Sequence, residues 1–148
     1  TKFMGHKRFS LEGAESLIPV IDALLTEAIG NSNTEAVIGM SHRGRLNVLA
    51  NIMGKSYGQI FKEFDGQLDS SSFLGSGDVK YHLGASGRHV DAEGNSLAIT
   101  LASNPSHLEA VDGVVDGMVR AKLDALGDDG NKVLPLSLIH ISEPTRPY

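Results

Sequence analysis

The stretch Ala36-Val-Ile-Gly-Met-Ser-His-Arg-Gly-Arg-Leu-Asn-Val-Leu-Ala-Asn-Ile-Met53 decides the fold. Its opening run, Ala36 to Met40, is short and continuously apolar. That pattern suits a strand buried on both faces, as in a parallel sheet. A polar cluster follows, Ser41-His-Arg-Gly-Arg45. Leu46, Val48, Leu49, Ile52 and Met53 then recur at helical spacing and stop at Gly54. A buried strand handing over to a helix through a polar turn is the repeating unit of α/β domains. In open α/β sheets, ligands collect at the carboxyl ends of the strands.

The same pattern returns downstream. Leu97-Ala-Ile-Thr-Leu-Ala102 reads as a strand. Asn104-Pro-Ser-His-Leu-Glu109 follows, with Ser106 and Glu109 at capping-box spacing. Leu108, Val111, Val115, Met118, Val119 and Leu123 then mark a helix that Gly127 ends, and Val133-Leu-Pro-Leu136 begins a third strand. Upstream, Leu11, Ala14, Leu17, Ile18, Ile21, Leu24, Leu25 and Ala28 share one helical face. Ser10 is the expected N-cap, Gly30 the stop, and Pro19 is expected to kink or split the helix.

Ser56 to Phe64 reads as a short helix with Tyr57, Ile60, Phe61 and Phe64 on one side. Asp65 to Asp78 is Gly- and Ser-rich and reads as a long loop, and Val79 to Leu83 as extended chain. Gly84 to Gly94 has turn composition and suits a hairpin excursion. Strand, helix, strand, helix, strand predicts an α/β fold, an open and mostly parallel sheet with flanking helices.

The chain has 148 residues, a length that suits one domain, and 41% hydrophobic content is enough for a core. A net charge of −5 without blocks of like charge argues against nucleic acid or an anionic membrane as partner. No apolar run approaches the roughly 20 residues of a membrane span. There is no cysteine, which excludes disulfides and thiolate metal sites and makes a cytoplasmic address the default. Thr1 reads as a start in mid-sequence. Leu136-Ser-Leu-Ile-His-Ile-Ser-Glu-Pro-Thr-Arg146 resembles a translated sequencing adapter. The domain is therefore expected over 1–135, with 136–148 a non-native tail.

Two clusters can carry chemistry: His42-Arg43-Gly44-Arg45 and Asn104-Pro-Ser-His107. Each opens a helix, whose N-terminal N–H groups and dipole favour anions. Arg43 adds a fork of donors suited to phosphate or carboxylate, and Ser106 a hydroxyl. A plainer reading stays open, in which Arg43 and Arg45 form surface ion pairs and Ser106 only caps. His42, His82 and His107 sit in polar loops where a histidine can move protons or donate to a carboxylate. His6 and His89 read as surface residues, and Lys80 as solvated. No H-x-x-x-H pair or nearby carboxylate set supports zinc. No Walker loop, dinucleotide fingerprint or nucleophile elbow is present.

Four motifs, in order, carry a resemblance: Lys7-Arg-Phe-Ser-Leu-Glu-Gly-Ala14, Val37-Ile-Gly-Met-Ser-His-Arg-Gly-Arg-Leu-Asn-Val-Leu-Ala-Asn51, Gly75-Ser-Gly-Asp-Val-Lys-Tyr-His-Leu-Gly84 and Asn104-Pro-Ser-His-Leu-Glu-Ala-Val-Asp112. Together they resemble the decarboxylating component of 2-oxoglutarate dehydrogenase, in wording like its actinobacterial multifunctional branch. The resemblance implies the diphosphate-side half of a thiamine-diphosphate-binding fold, with thiamine diphosphate and Mg2+ as cofactors. It implies oxidative decarboxylation of 2-oxoglutarate in the tricarboxylic acid cycle, with the succinyl group passed to a lipoyl-bearing succinyltransferase component. A homodimeric parent is implied as well.

By the same resemblance, Arg43 contacts the cofactor's diphosphate. His42 and His82 are the catalytic, substrate-facing histidines, with His82 helping to hold the substrate carboxylate. Ser106 and Leu108 border the cofactor, and Ser106 also lies near substrate. His107 receives no role. Gly113 stands where the family usually has proline and Ser103 where alanine is commoner. The family's magnesium ligands, a Gly-Asp-Ala-Ala segment and a later asparagine, are not in the sequence, so the isolated chain is expected to be inactive. Two other readings are another thiamine-dependent 2-oxo acid dehydrogenase or decarboxylase, and a non-enzymatic α/β module binding phosphate or a partner protein. The pair His42 and His82 favours a dicarboxylate substrate over the first of these.

Overall fold

The computed structural model describes residues 10–64, 83–103, 110–128 and 130–138. Their elements, in order, are α1 (Leu17–Gly30), β1 (Glu35–Gly39), α2 (Arg45–Asn51), α3 (Tyr57–Phe64), β2 (Ala85–Val90), β3 (Ser96–Leu101), α4 (Ala110–Leu126) and β4 (Val133–Ser137). The strands form one sheet in the order β2-β3-β1-β4. β1 runs parallel to β3 and to β4, and β2 runs antiparallel to β3. This is the open, mostly parallel α/β sheet that the strand-to-helix pattern predicts.

The apolar run at β1 takes an interior place because helices cover it on both sides. Leu17, Ile21, Leu25 and Ala28 of α1 pack with Ile38, Met40, Leu97, Ile99 and Leu101 on one face. Val111, Val115, Val119 and Leu123 of α4 pack with Val37, Ala102 and Val133 on the other. Both helices present residues three or four apart, so each shows one apolar stripe to the sheet. At about 25 cal/mol per Å² of apolar surface, burial of these stripes is the main force holding the layers together.

Three elements differ from the sequence reading. α1 starts at Leu17, not Leu11, and the residues before it form turns, with Ala14 N–H donating to the Leu11 carbonyl at 2.8 Å. Pro19 thus falls in the first helical turn, where its missing N–H has no helical acceptor to lose. The helix runs unbroken past it. The Ser10 hydroxyl accepts from Glu12 N–H at 3.1 Å and does not cap α1. β2 forms the hairpin with β3, closed by a turn in which Asp91 Oδ1 accepts from Asn95 N–H at 2.7 Å.

At the other end, β4 continues through Ser137. Leu138 is fully buried in the α1-side core, and its N–H donates to the Gly39 carbonyl at 2.8 Å. Leu136 to Leu138 therefore belong to the sheet and its core, although the sequence reading assigns them to the tail. Pro135 is tolerated because β4 is the edge strand beside β1. The expected long loop at 65–78, the extended chain up to His82, and Asn104 to Glu109 lie outside the described residues. Among the described residues no helix is long and apolar enough to cross a membrane.

Candidate functional site at the carboxyl edge of the sheet

β1 delivers its chain to the carboxyl edge, where Met40 and Ser41 are fully buried. His42 and Arg43 follow, both half-buried, and the Arg45 N–H closes the turn onto the His42 carbonyl at 3.1 Å. Gly44 caps α2 with φ +73°. A Cβ there would lie 2.3 Å from Leu11 Cδ1, so both the backbone and the packing demand glycine. The turn therefore fixes His42 and Arg43 side by side just beyond the strand.

Arg43 Nη2 donates to the Glu12 carbonyl at 2.6 Å. Glu15 lies in the same neighbourhood, and its carboxyl is held below the ordinary range. The Gly13 N–H is the main cause, then its own backbone, with the Arg43 charge a smaller contribution. Among the described residues Arg43 forms no ion pair of the kind the plainer reading offered.

Arg45 departs further from that reading. Its side chain is completely buried. Nη2 donates to the Leu83 carbonyl at 2.8 Å and to the Ala102 carbonyl at 2.7 Å, and Nη1 makes a longer contact of 3.5 Å to the Met40 carbonyl. Nε has no partner among the described residues. Burial pulls the guanidinium's pKa down to about 10, which leaves it charged at neutral pH. The correction has a simple cause. Arg45 lies three and four residues before Val48 and Leu49, on the buried face of α2. That spacing was the available signal.

His82, Ser106, Leu108 and His107 lie outside the described residues. The chain beside them is described. Leu83 leads into β2 and Ala102 leaves β3, and both carbonyls meet on Arg45. His42 and Arg43 are the two expected site residues that the structure brings together.

His89 also needs correction. It is 9% exposed, with Nε2 3.0 Å from Thr26 Oγ1 and Nδ1 3.8 Å from Asp22 Oδ1. It faces α1 because alternate residues of β2 turn inward. Without β2 in the sequence reading, that side could not be seen.

Two clefts open among the described residues. The larger, about 830 Å³, lies between the approach to α1, α2 and α3 and is lined in part by Leu11, Ile18, Leu46, Tyr57 and Phe61. None of His42, Arg43 and Arg45 lines either cleft, and Glu12, whose carbonyl accepts from Arg43, lines the larger. The smaller, about 400 Å³, opens at the carboxyl edge between Gly84, Ser86, Thr100, Ser103, Val114 and Met118. The smaller cleft borders the ends of β2 and β3 that meet on Arg45, through the Leu83 and Ala102 carbonyls.

Comparison with known proteins bears on this edge. The chain is 57% identical over 143 residues to the multifunctional 2-oxoglutarate metabolism enzyme of Mycolicibacterium vanbaalenii, covering 93% of the chain and 12% of that protein. The chain falls within the 2-oxoglutarate metabolism enzyme family. The protein of that name in Mycobacterium sp. strain JLS is 58% identical over 139 residues, covering 90% of the chain and 11% of the relative. The 2-oxoglutarate dehydrogenase E1/E2 component of Corynebacterium glutamicum is 55% identical over 141 residues, covering 93% and 12%. The chain thus spans about an eighth of the length of these family members. No family model matches it.

Proposed function

We propose that the chain supplies the diphosphate side of the active site in a cytoplasmic, succinyl-transferring 2-oxoglutarate dehydrogenase of the tricarboxylic acid cycle. The observation that carries this is 57% identity across 93% of the chain with a 2-oxoglutarate metabolism enzyme. The name of the corynebacterial relative, which joins E1 to E2, supports a lipoyl-bearing succinyltransferase as partner. A homodimeric parent completes the proposal.

The donor set fits thiamine diphosphate. A half-buried arginine and histidine stand next to each other where β1 gives way to α2, and both can meet an anion. Arg43 would hold the diphosphate, and Ser106 and Leu108 would border the cofactor. Once bound, the cofactor supplies the electron sink that decarboxylation requires. His42 and His82 would donate to the substrate, with His82 on the carboxylate remote from the reacting carbon and Ser106 adding a hydroxyl. Among the described residues no group of three or more His, Cys, Asp or Glu could hold a metal ion, so none of them is assigned to Mg2+. The chain by itself is proposed to be inactive, and cofactor titration by calorimetry checks that.

The substrate class is tested in the full-length enzyme. His82→Ala should lower turnover of 2-oxoglutarate by about 10- to 100-fold, the size of one lost charge-assisted hydrogen bond. Turnover of a monocarboxylic 2-oxo acid should fall much less. Equal losses on the two substrates would remove the dicarboxylate reading and favour another thiamine-dependent 2-oxo acid dehydrogenase.

A further inference from the structure

Arg45 is an expensive choice for a helix start. A buried cation with one N–H unpartnered among the described residues carries a desolvation cost that its other hydrogen bonds must offset. What it does is geometric. Its guanidinium plane takes carbonyls from three separate chain segments: Met40 just past β1, Leu83 just before β2, and Ala102 just past β3. A lysine could not hold the same arrangement, because its ammonium is a point donor and not a planar fork.

Each of these segments lies close in sequence to a residue of the proposed site. Met40 precedes His42 by two positions, Leu83 follows His82, and Ala102 leads toward Ser106. Gly84 shows how tightly the segments are set. A Cβ there would lie 2.8 Å from the Leu101 carbonyl oxygen, at the end of β3.

We propose that Arg45 is a positioning residue, whose single guanidinium sets the spacing of the three chain ends at the carboxyl edge. Taking His42, His82 and Ser106 in the roles proposed above, it acts through the chain ends next to them in sequence, without touching substrate or cofactor. Arg45 therefore acts on the rate at which bound substrate reacts more than on how tightly substrate binds, since small misplacements of reacting groups weigh mainly on the chemical step.

The test uses the full-length enzyme carrying Arg45→Lys. In folded variant, kcat for 2-oxoglutarate should fall about 10- to 100-fold, with KM changed by less than about threefold. Amide hydrogen exchange at residues 83–85 and 101–103 should quicken about tenfold or more, with no substrate present. A folded variant with wild-type kcat and wild-type exchange at those amides would overturn the proposal and leave Arg45 as packing. Should Arg45→Lys fail to fold, Gly84→Ala decides, because it pushes the same two segments apart and leaves the guanidinium in place. It should give the same pattern at smaller amplitude, and unchanged kcat and exchange would overturn the proposal. A wild-type enzyme without 2-oxoglutarate turnover would count against the proposed function, while the exchange rates would still decide the role of Arg45.

Discussion

At the carboxyl end of the sheet, Arg45 reaches carbonyls 38 and 57 residues away along the chain. At the amino end the work is spread over several side chains: Asn33, Thr34 and Lys132 join the turns before β1 and β4 through carbonyls 98 to 100 residues away, and two aspartates order their own turns. Asp128 Oδ1 accepts N–H groups from Gly130, Asn131 and Lys132, two to four residues on, and Asp91 accepts from Asn95. The amino end divides its links among several side chains, and the carboxyl end gathers them on one. The aspartates are half-buried and held ionised, Asp91 chiefly by the Asn95 side-chain amide and Asp128 chiefly by backbone N–H groups, so each stabilises only its own turn. Arg45 is buried and charged, and three segments share it. The end where ligands gather in this architecture is thus the end that rests on one side chain.

The contrast can be broken or sharpened by substitution. Arg45→Met should have the largest effect, about 3–5 kcal/mol less stable to urea, because three carbonyls lose a buried partner together. A loss below about 1 kcal/mol would mean that water or neighbouring groups replace the guanidinium, and the two ends would not differ in kind. Leu138→Ala comes next. Its side chain is fully buried and its N–H joins β4 to Gly39, so about 2–4 kcal/mol should be lost. A neutral result would detach Leu138 from the core and return it to the tail.

The smallest change belongs to the amino end and depends on pH. The Asp128 carboxyl lies below its ordinary value, chiefly through the Gly130 and Asn131 N–H groups. Its folded value is the lower one. The stabilisation is therefore complete above the ordinary carboxylate range and is lost as pH falls through the folded value. Asp128→Asn should destabilise at pH 7, and its deficit against wild type should shrink toward pH 2 in urea unfolding. A deficit that stays constant with pH would show that the ionised form has no advantage.

This same division explains what could be read from the sequence. β1, β3 and α4 were legible because a buried strand and an amphipathic stripe leave local patterns. α1 was legible in type but not in its start, since Leu11 and Ala14 extend the apolar period while forming turns. β2 was legible only as part of a hairpin excursion and not as a strand, because Ala85-Ser-Gly-Arg-His-Val90 has the composition of a turn and becomes a strand by pairing with β3. His89 went with it. His42 and Arg43 were legible from their place after a strand. The role of Arg45 was not, because its partners are backbone carbonyls, which carry no mark in the sequence.

The reach of Arg45 also has a kinetic side. Contacts that close long loops carry a larger closure entropy than local turns or a hairpin. The guanidinium can meet Ala102 only once β3 lies beside β1. Interactions absent from the transition state act on the unfolding rate and leave the folding rate nearly unchanged. Should the Arg45 contacts form after the transition state, Arg45 sets how long the assembled edge survives and not how fast the chain folds.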